Sequence, residues 1–233
     1  MSSVKGKGHC ISCPIRHLSI FGELPAERLL QIQQFQPAVL QFQAGETIYH
    51  QGASAQSAYT LRKGMVKLSK SLANGRTQII RVIGAGELFG FDGFADETYS
   101  HSATPLCTVE LCRLPFTDLA SLKKQHSEID TAMTQRWLHY LRQAENQMLA
   151  LGVMKAPERL ASFLVNWYDS GEPTSEGVPL PLARGEIGEL LGLTIETVSR
   201  FISEWKRQGY ISETKGHLLL LNRAALLKAA CSD

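Results

Sequence analysis

Between Arg184 and Gly209 the apolar residues recur at helical spacing. Val198, Phe201, Ile202 and Trp205 fall on one face of a helix opened by Thr194, whose hydroxyl can accept from a free amide of the first turn. Glu196, Ser199, Arg200, Ser203 and Arg207 fall on the opposite face. Ile187, Leu190 and Leu191 mark a shorter amphipathic helix, and Gly192 permits a tight turn between the two. Two short helices joined by such a turn predict a helix-turn-helix, whose second helix enters the major groove of DNA. Beyond it, Tyr210 to Leu220 reads as two strands around Lys215-Gly216, a hairpin wing.

The pattern changes upstream. Residues 37–115 hold short segments rich in β-branched and aromatic residues, punctuated by glycines. Val66 and Leu68 alternate with Lys67 and Ser69, and Asn74-Gly75 separates that strand from the apolar run 78–83, a hairpin signal in which both turn residues adopt positive φ. Several such strands predict an antiparallel roll or barrel. From Ser127 to Lys155, Trp137, Leu141, Ala144, Met148 and Leu151 recur at alternating four- and three-residue steps, the seam of a two-helix coiled coil. Met133 and Tyr140 lie beside that seam and are expected to pack on the chain's own roll. Arg159 to Trp167 continues as a helix to Gly171. At the other end, residues 1–9 are small, polar and basic and are expected to be mobile. A loop at Cys10 to Pro14 leads toward a helix, and Pro25 opens another through about residue 34.

Composition adds constraints. The 233 residues carry a net charge of only +2, so DNA contact must come from local placement of Arg and Lys. Apolar runs are too short to cross a bilayer and no signal peptide is visible, so a cytoplasmic location is expected, with no membrane partner. Five cysteines in a reducing compartment argue for metal binding, redox chemistry or burial rather than structural disulfides. No nucleophile elbow, P-loop or zinc-protease motif is present, which argues against an enzyme.

The run from Arg184 to Arg200 resembles the helix-turn-helix of the CRP/FNR superfamily of bacterial transcription regulators, most closely its FNR branch. The segments at 42–52 and 84–93 resemble the family's effector domain, so the likeness spans about residues 10–223. It implies an α+β chain: an antiparallel β-roll (a cupin-like jelly roll), a long dimerisation helix and a C-terminal winged helix-turn-helix domain. The expected divisions are residues 1–24 as a cysteine-containing sensor segment, 25–126 as the roll, 127–155 as the dimerisation helix and 156–233 as the DNA-binding domain. It also implies double-stranded DNA, a second copy of the chain and RNA polymerase as partners.

The resemblance assigns base reading to Glu196, Ser199 and Arg200, with a TTGAT-like half-site repeated in inverted orientation by a homodimer. Arg can donate twice to guanine, and a carboxylate can accept from cytosine. Ile195 stands where CRP-type helices carry Arg, which favours the FNR branch. Arg184, Thr197, Lys206, Arg207 and Lys215 are candidates for phosphate contact.

For the signal, the resemblance implies a [4Fe–4S] cluster held by Cys10, Cys13 and Cys112. The fourth ligand position of the family falls on Ser19, a poorer ligand than thiolate. Cys107 is the other candidate, although an odd separation from Cys112 along a straight strand would turn the two side chains to opposite faces. His9 and His17 are further conceivable ligands, and Cys231 is expected to be inert. Thiol-based sensing by Cys10 and Cys13, or no cofactor at all, are the alternatives. Gly86-Glu87 resembles the start of a cyclic-nucleotide cassette, but residues 97–103 contain no Arg to neutralise a buried phosphate, which argues against that ligand. Finally, Ala144 occupies the seam position that carries an acid in FNR proteins, which implies a dimer less dependent on a cluster.

Overall fold

The computed structural model describes residues 3–22, 24–32 and 35–230, so Cys231 lies outside the described residues. The chain forms two compact units, residues 1–142 and 143–233.

The first unit is a β-roll of two antiparallel sheets. Strands β1 (Ser3–Lys7), β2 (Ala38–Phe42), β8 (Val109–Pro115), β3 (Ser57–Lys63) and β6 (Leu88–Phe89) form one sheet in that spatial order, and β5 (Thr77–Ile83), β4 (Val66–Ser71) and β7 (Ser102–Pro105) form the other. The first sheet has two covered faces, and alternation along its strands separates them. Tyr59, Leu61, Val109 and Leu111 face the roll interior with Leu68, Phe89 and Tyr99. Ala58, Cys112 and Leu114 face the other way, under Ile20, Phe21 and Leu24 of the N-terminal segment. That outer face is also covered by Leu119 and Leu122 of helix α3 (Phe116–Gln125) and by Ile129, Ala132 and Met133 of helix α4 (Ser127–Val153). Ile20, Phe21 and Leu24 of the N-terminal segment are therefore part of the first unit's core. Short helices α1 (Ala26–Gln31) and α2 (Gly93–Asp96) complete this unit.

Three local expectations are corrected. Residues 3–7 form strand β1, paired antiparallel with β2. The helix expected after Pro14 is a single 3-10 turn, Arg16–Leu18, ended by extended backbone at Ser19. In the β4–β5 hairpin Gly75 has φ of 82°, but Asn74 does not take positive φ. A bulge at Leu68/Ser69 and strand ends at Ser71 and Thr77 leave five residues in the loop. The amide of Gly75 donates to the Leu72 carbonyl at 2.9 Å, so Asn74 sits inside an ordinary β-turn that ends on a left-handed glycine.

The second unit contains the end of α4, then α5 (Ala156–Ser170), β9 (Val178–Pro179), α6 (Arg184–Leu191), α7 (Ile195–Arg207), β10 (Ile211–Thr214), β11 (His217–Leu220) and α8 (Arg223–Ala230). The three strands form one antiparallel sheet in the order β10-β11-β9.

Candidate nucleic-acid interface and thiol pocket

Helix α7 is opened by Thr194, whose Oγ1 accepts from the amide of Thr197 at 3.2 Å. Val198, Ile202 and Trp205 are buried and fix the helix to its unit. The opposite face is open: Glu196, Arg200, Ser203 and Arg207 are exposed, and Ser199 and Thr197 are partly so. Its own amide and the Thr194 hydroxyl hold the Glu196 carboxyl below the usual range, so it is an acceptor at neutral pH. The Arg200 guanidinium lies 4.8 Å from the Phe201 ring centroid. Among the described residues no carboxylate pairs with Arg200 or Arg207, which leaves both forks available to a ligand.

The turn between α6 and α7 depends on two glycines. Gly192 has φ of 62°, and a Cβ on Gly188 would stand 2.6 Å from the Leu193 carbonyl oxygen. The wing is a two-residue hairpin with positive φ at both Lys215 (49°) and Gly216 (78°).

Three phosphate candidates have partners inside the unit. Arg184 and the Glu213 carboxylate form an ion pair, Lys206 lies 3.7 Å from the same carboxylate, and Lys215 lies 3.6 Å from Glu176. The Arg184 pair ties the start of α6 to the wing strand β10. The sequence could not reveal that Glu213 stands between two of these cations.

On α4, Trp137, Leu141 and Met148 of the seam are 53%, 54% and 65% exposed, so half or more of each is left uncovered within one chain. Ala144 is exposed and Leu151 partly buried. Leu138, Leu149 and Val153 widen the apolar band. Met133 is buried in the first unit, and the Tyr140 hydroxyl donates to the Leu88 carbonyl at 3.0 Å, so both pack on the roll as expected. Leu151 lies against Gly192 of the helix-turn-helix.

The thiols form the second site. Cys10, Cys13 and Cys112 line one pocket with Ser19, Thr60, Arg16, Phe21 and Leu114. Burial, with the neighbouring thiols, pushes Cys10 up to about 12, and burial pushes Cys112 up to about 11. Cys107 is excluded from this group. It precedes β8, packs with the roll-interior cluster and lies beside Gly64, on the far side of the sheet from Cys112. Both His9 and His17 are exposed, and neither lines the pocket.

The cyclic-nucleotide-like segment is used differently here. The amide of Gly84 donates to the Glu87 carboxylate at 3.0 Å, and a Cβ on Gly86 would strike Leu18 at 2.3 Å. The N-terminal segment thus lies directly on that loop. Among the described residues no helix is long and apolar enough to cross a membrane.

A β-roll joined by a long helix to a winged helix-turn-helix defines a DNA-binding transcription regulator. Residues 39–126 match the family described as "Cyclic nucleotide-binding domain" and residues 158–229 the "Crp-like helix-turn-helix domain". The chain is 31% identical to "Transcriptional regulatory protein btr" of Bordetella pertussis, over 94% of this chain and 91% of that protein. It is 29% identical to "Fumarate and nitrate reduction regulatory protein" of Escherichia coli, over 95% and 90% of the two chains. The solved structure of FixK2 from Bradyrhizobium japonicum superposes with a TM-score of 0.77, at 27% identity, covering 84% of this chain and 98% of that one. The chain belongs to the CRP/FNR family, in its FNR-like branch, and is a transcription regulator rather than an enzyme.

Proposed function

We propose that the chain binds a TTGAT-like inverted repeat as a homodimer, under control of oxygen or redox state through an iron–sulfur cluster at Cys10, Cys13 and Cys112. In this reading Glu196, Ser199 and Arg200 read base edges. Arg207 and Thr197 touch phosphates, joined by Arg184, Lys206 and Lys215 where DNA competes with their carboxylate partners. The Trp137–Leu151 seam brings the second copy, and RNA polymerase is the further partner. The reading implies a protein of the cytoplasm.

The observation that carries the signal reading is the meeting of three thiols, two from the N-terminal loop and one from β8, in a single pocket. Thiolate is the donor that iron–sulfur clusters use. Among the described residues no group of His, Cys, Asp or Glu is set to hold a single metal ion. What supports a cluster is the donor type: among the described residues three thiols, and no carboxylate or imidazole, line the pocket. A cluster, when bound, supplies chemistry sensitive to oxygen. The alternative, control by thiol oxidation alone, needs accessible thiolates. The burial that raises Cys10 and Cys112 works against it.

The test is anaerobic purification with iron and sulfide counts and a visible spectrum, followed by binding to a TTGAT inverted repeat before and after exposure to air. The expected result is air-labile absorption and weaker binding after air. A colourless, iron-free protein that binds equally in both conditions would defeat the cluster reading and leave the DNA reading standing.

A further inference from the structure

The thiol pocket is lined by two hydroxyls, Ser19 and Thr60, and they differ in what they already do. Both are buried, at 9% and 5% exposure. Ser19 Oγ donates to the Arg16 carbonyl at 2.8 Å and accepts from the Phe21 amide at 3.2 Å. These two bonds close the 3-10 turn. An iron bond would remove the proton that Ser19 gives to the Arg16 carbonyl. Thr60 Oγ1 is the opposite case. It is buried with no hydrogen-bond partner among the described residues. Thr60 pairs with Cys112 across the β3–β8 ladder, so the two side chains stand on the same face of the sheet. Its other neighbours in the pocket include Ile15, Phe21, Pro37 and Leu114, which accept nothing with their side chains.

A buried hydroxyl without a partner is costly, and threonine is replaceable by valine of the same shape wherever the hydroxyl is idle. A neutral thiol is a weak acceptor, whereas a thiolate or a cluster sulfide is a far better one. We infer that Thr60 is the pocket's hydrogen-bond donor to sulfur when the pocket is loaded, and that Ser19 is a turn-closing residue and not a ligand. The site then offers three thiolates and one tuning hydroxyl. Hydrogen bonds to sulfur are a recognised means of setting the potential and retention of a cluster. This inference rests on the iron–sulfur reading above.

The test is anaerobic reconstitution of wild type, Thr60→Val, Thr60→Ser and Ser19→Ala with ferrous iron and sulfide. Iron and sulfide per chain, midpoint potential and the rate of bleaching in air are measured. Thr60→Val is expected to hold iron about tenfold more weakly and at lower potential, and Thr60→Ser to restore both. Ser19→Ala is expected to load like wild type. In metal-free protein Thr60→Val is expected to melt higher, because an orphaned hydroxyl is gone. Wild-type retention and potential in Thr60→Val would overturn the donor role, as would a lower melting point of the metal-free variant. A folded Ser19→Ala that fails to load would overturn the non-ligand role. Wild type that takes up neither iron nor sulfide would overturn the iron–sulfur reading itself, and this inference with it.

Discussion

Truncating Leu141 to Ala tests whether α4 is an interface. Leu141 is 54% exposed within one chain and lies between Trp137 and Ala144 on the proposed seam. The substitution removes three carbons, about 2.4 kcal/mol if all were buried, at about 0.8 kcal/mol per carbon. The exposed half of that, about 1.3 kcal/mol, is realised only when another chain covers it. Two-fold symmetry counts it twice, giving about 2.6 kcal/mol per dimer, or about eightyfold in the dissociation constant. Sedimentation velocity over a concentration series of wild type and Leu141→Ala, both metal-free, reads this directly. The wild type is expected to be dimeric without a cluster, because Ala144 places no charge in the seam. Dissociation unchanged in Leu141→Ala would refute the seam. A metal-free wild type found only as monomer would refute the argument from Ala144.

Three further outcomes are expected. Arg200→Ala should cost about 1–3 kcal/mol on the guanine-containing pair of the half-site. Competition with base-substituted repeats checks it, and an equal loss on every sequence would reduce Arg200 to a phosphate contact. His101 is buried beside Tyr49, Asp92 and Ser100, with Arg81 and Lys70 also acting on it, and burial lowers its pKa from 6.5. The unfolded chain therefore binds a proton that the fold resists, so this contribution is complete above 6.5 and is lost as the pH falls toward the folded value. Denaturant titrations from about pH 7 to about pH 5 should show that loss in wild type and a flatter profile in His101→Gln. Arg136→Ala, which removes the donor to the Leu18 carbonyl, should leave iron uptake intact and narrow the difference between aerobic and anaerobic operator affinity.

The DNA-reading half was legible because its signals are local. A cap at Thr194, a 3.6-residue apolar period and a left-handed Gly192 fix α6 and α7, and Lys-Gly marks the wing turn. Strand β1 was invisible for a physical reason. All five of its residues are exposed, so it joins the sheet through backbone bonds and leaves no alternation in the sequence. The thiol pocket was legible as a set of cysteines but not as a geometry. Parity along a strand does not apply to Cys107, which lies before β8; it is the packing that puts Cys107 with the roll-interior cluster and Cys112 with the outer one. The roles of Ser19 and Thr60 were out of reach. A hydroxyl at a ligand position reads the same whether it closes a turn or meets a metal, and Thr60 gains meaning only from its cross-strand neighbour Cys112.

The first unit also supplies a direct mechanical link between thiols and seam. Leu18 follows the loop that carries Cys10 and Cys13, and its carbonyl accepts from the Arg136 guanidinium one residue before Trp137. Leu18 also rests on the backbone of Gly86, two residues before Leu88, whose carbonyl accepts from Tyr140 on the next turn of the same helix. If a cluster binds in the proposed pocket and displaces the loop that carries Cys10 and Cys13, Leu18 moves with it. Two polar contacts then bear on α4 within a single turn of the seam residue Trp137, while Phe91 stacks on Trp137 itself at 5.3 Å. In the proposed reading such a displacement would act at the residues that a second chain covers, a short route from signal to dimer.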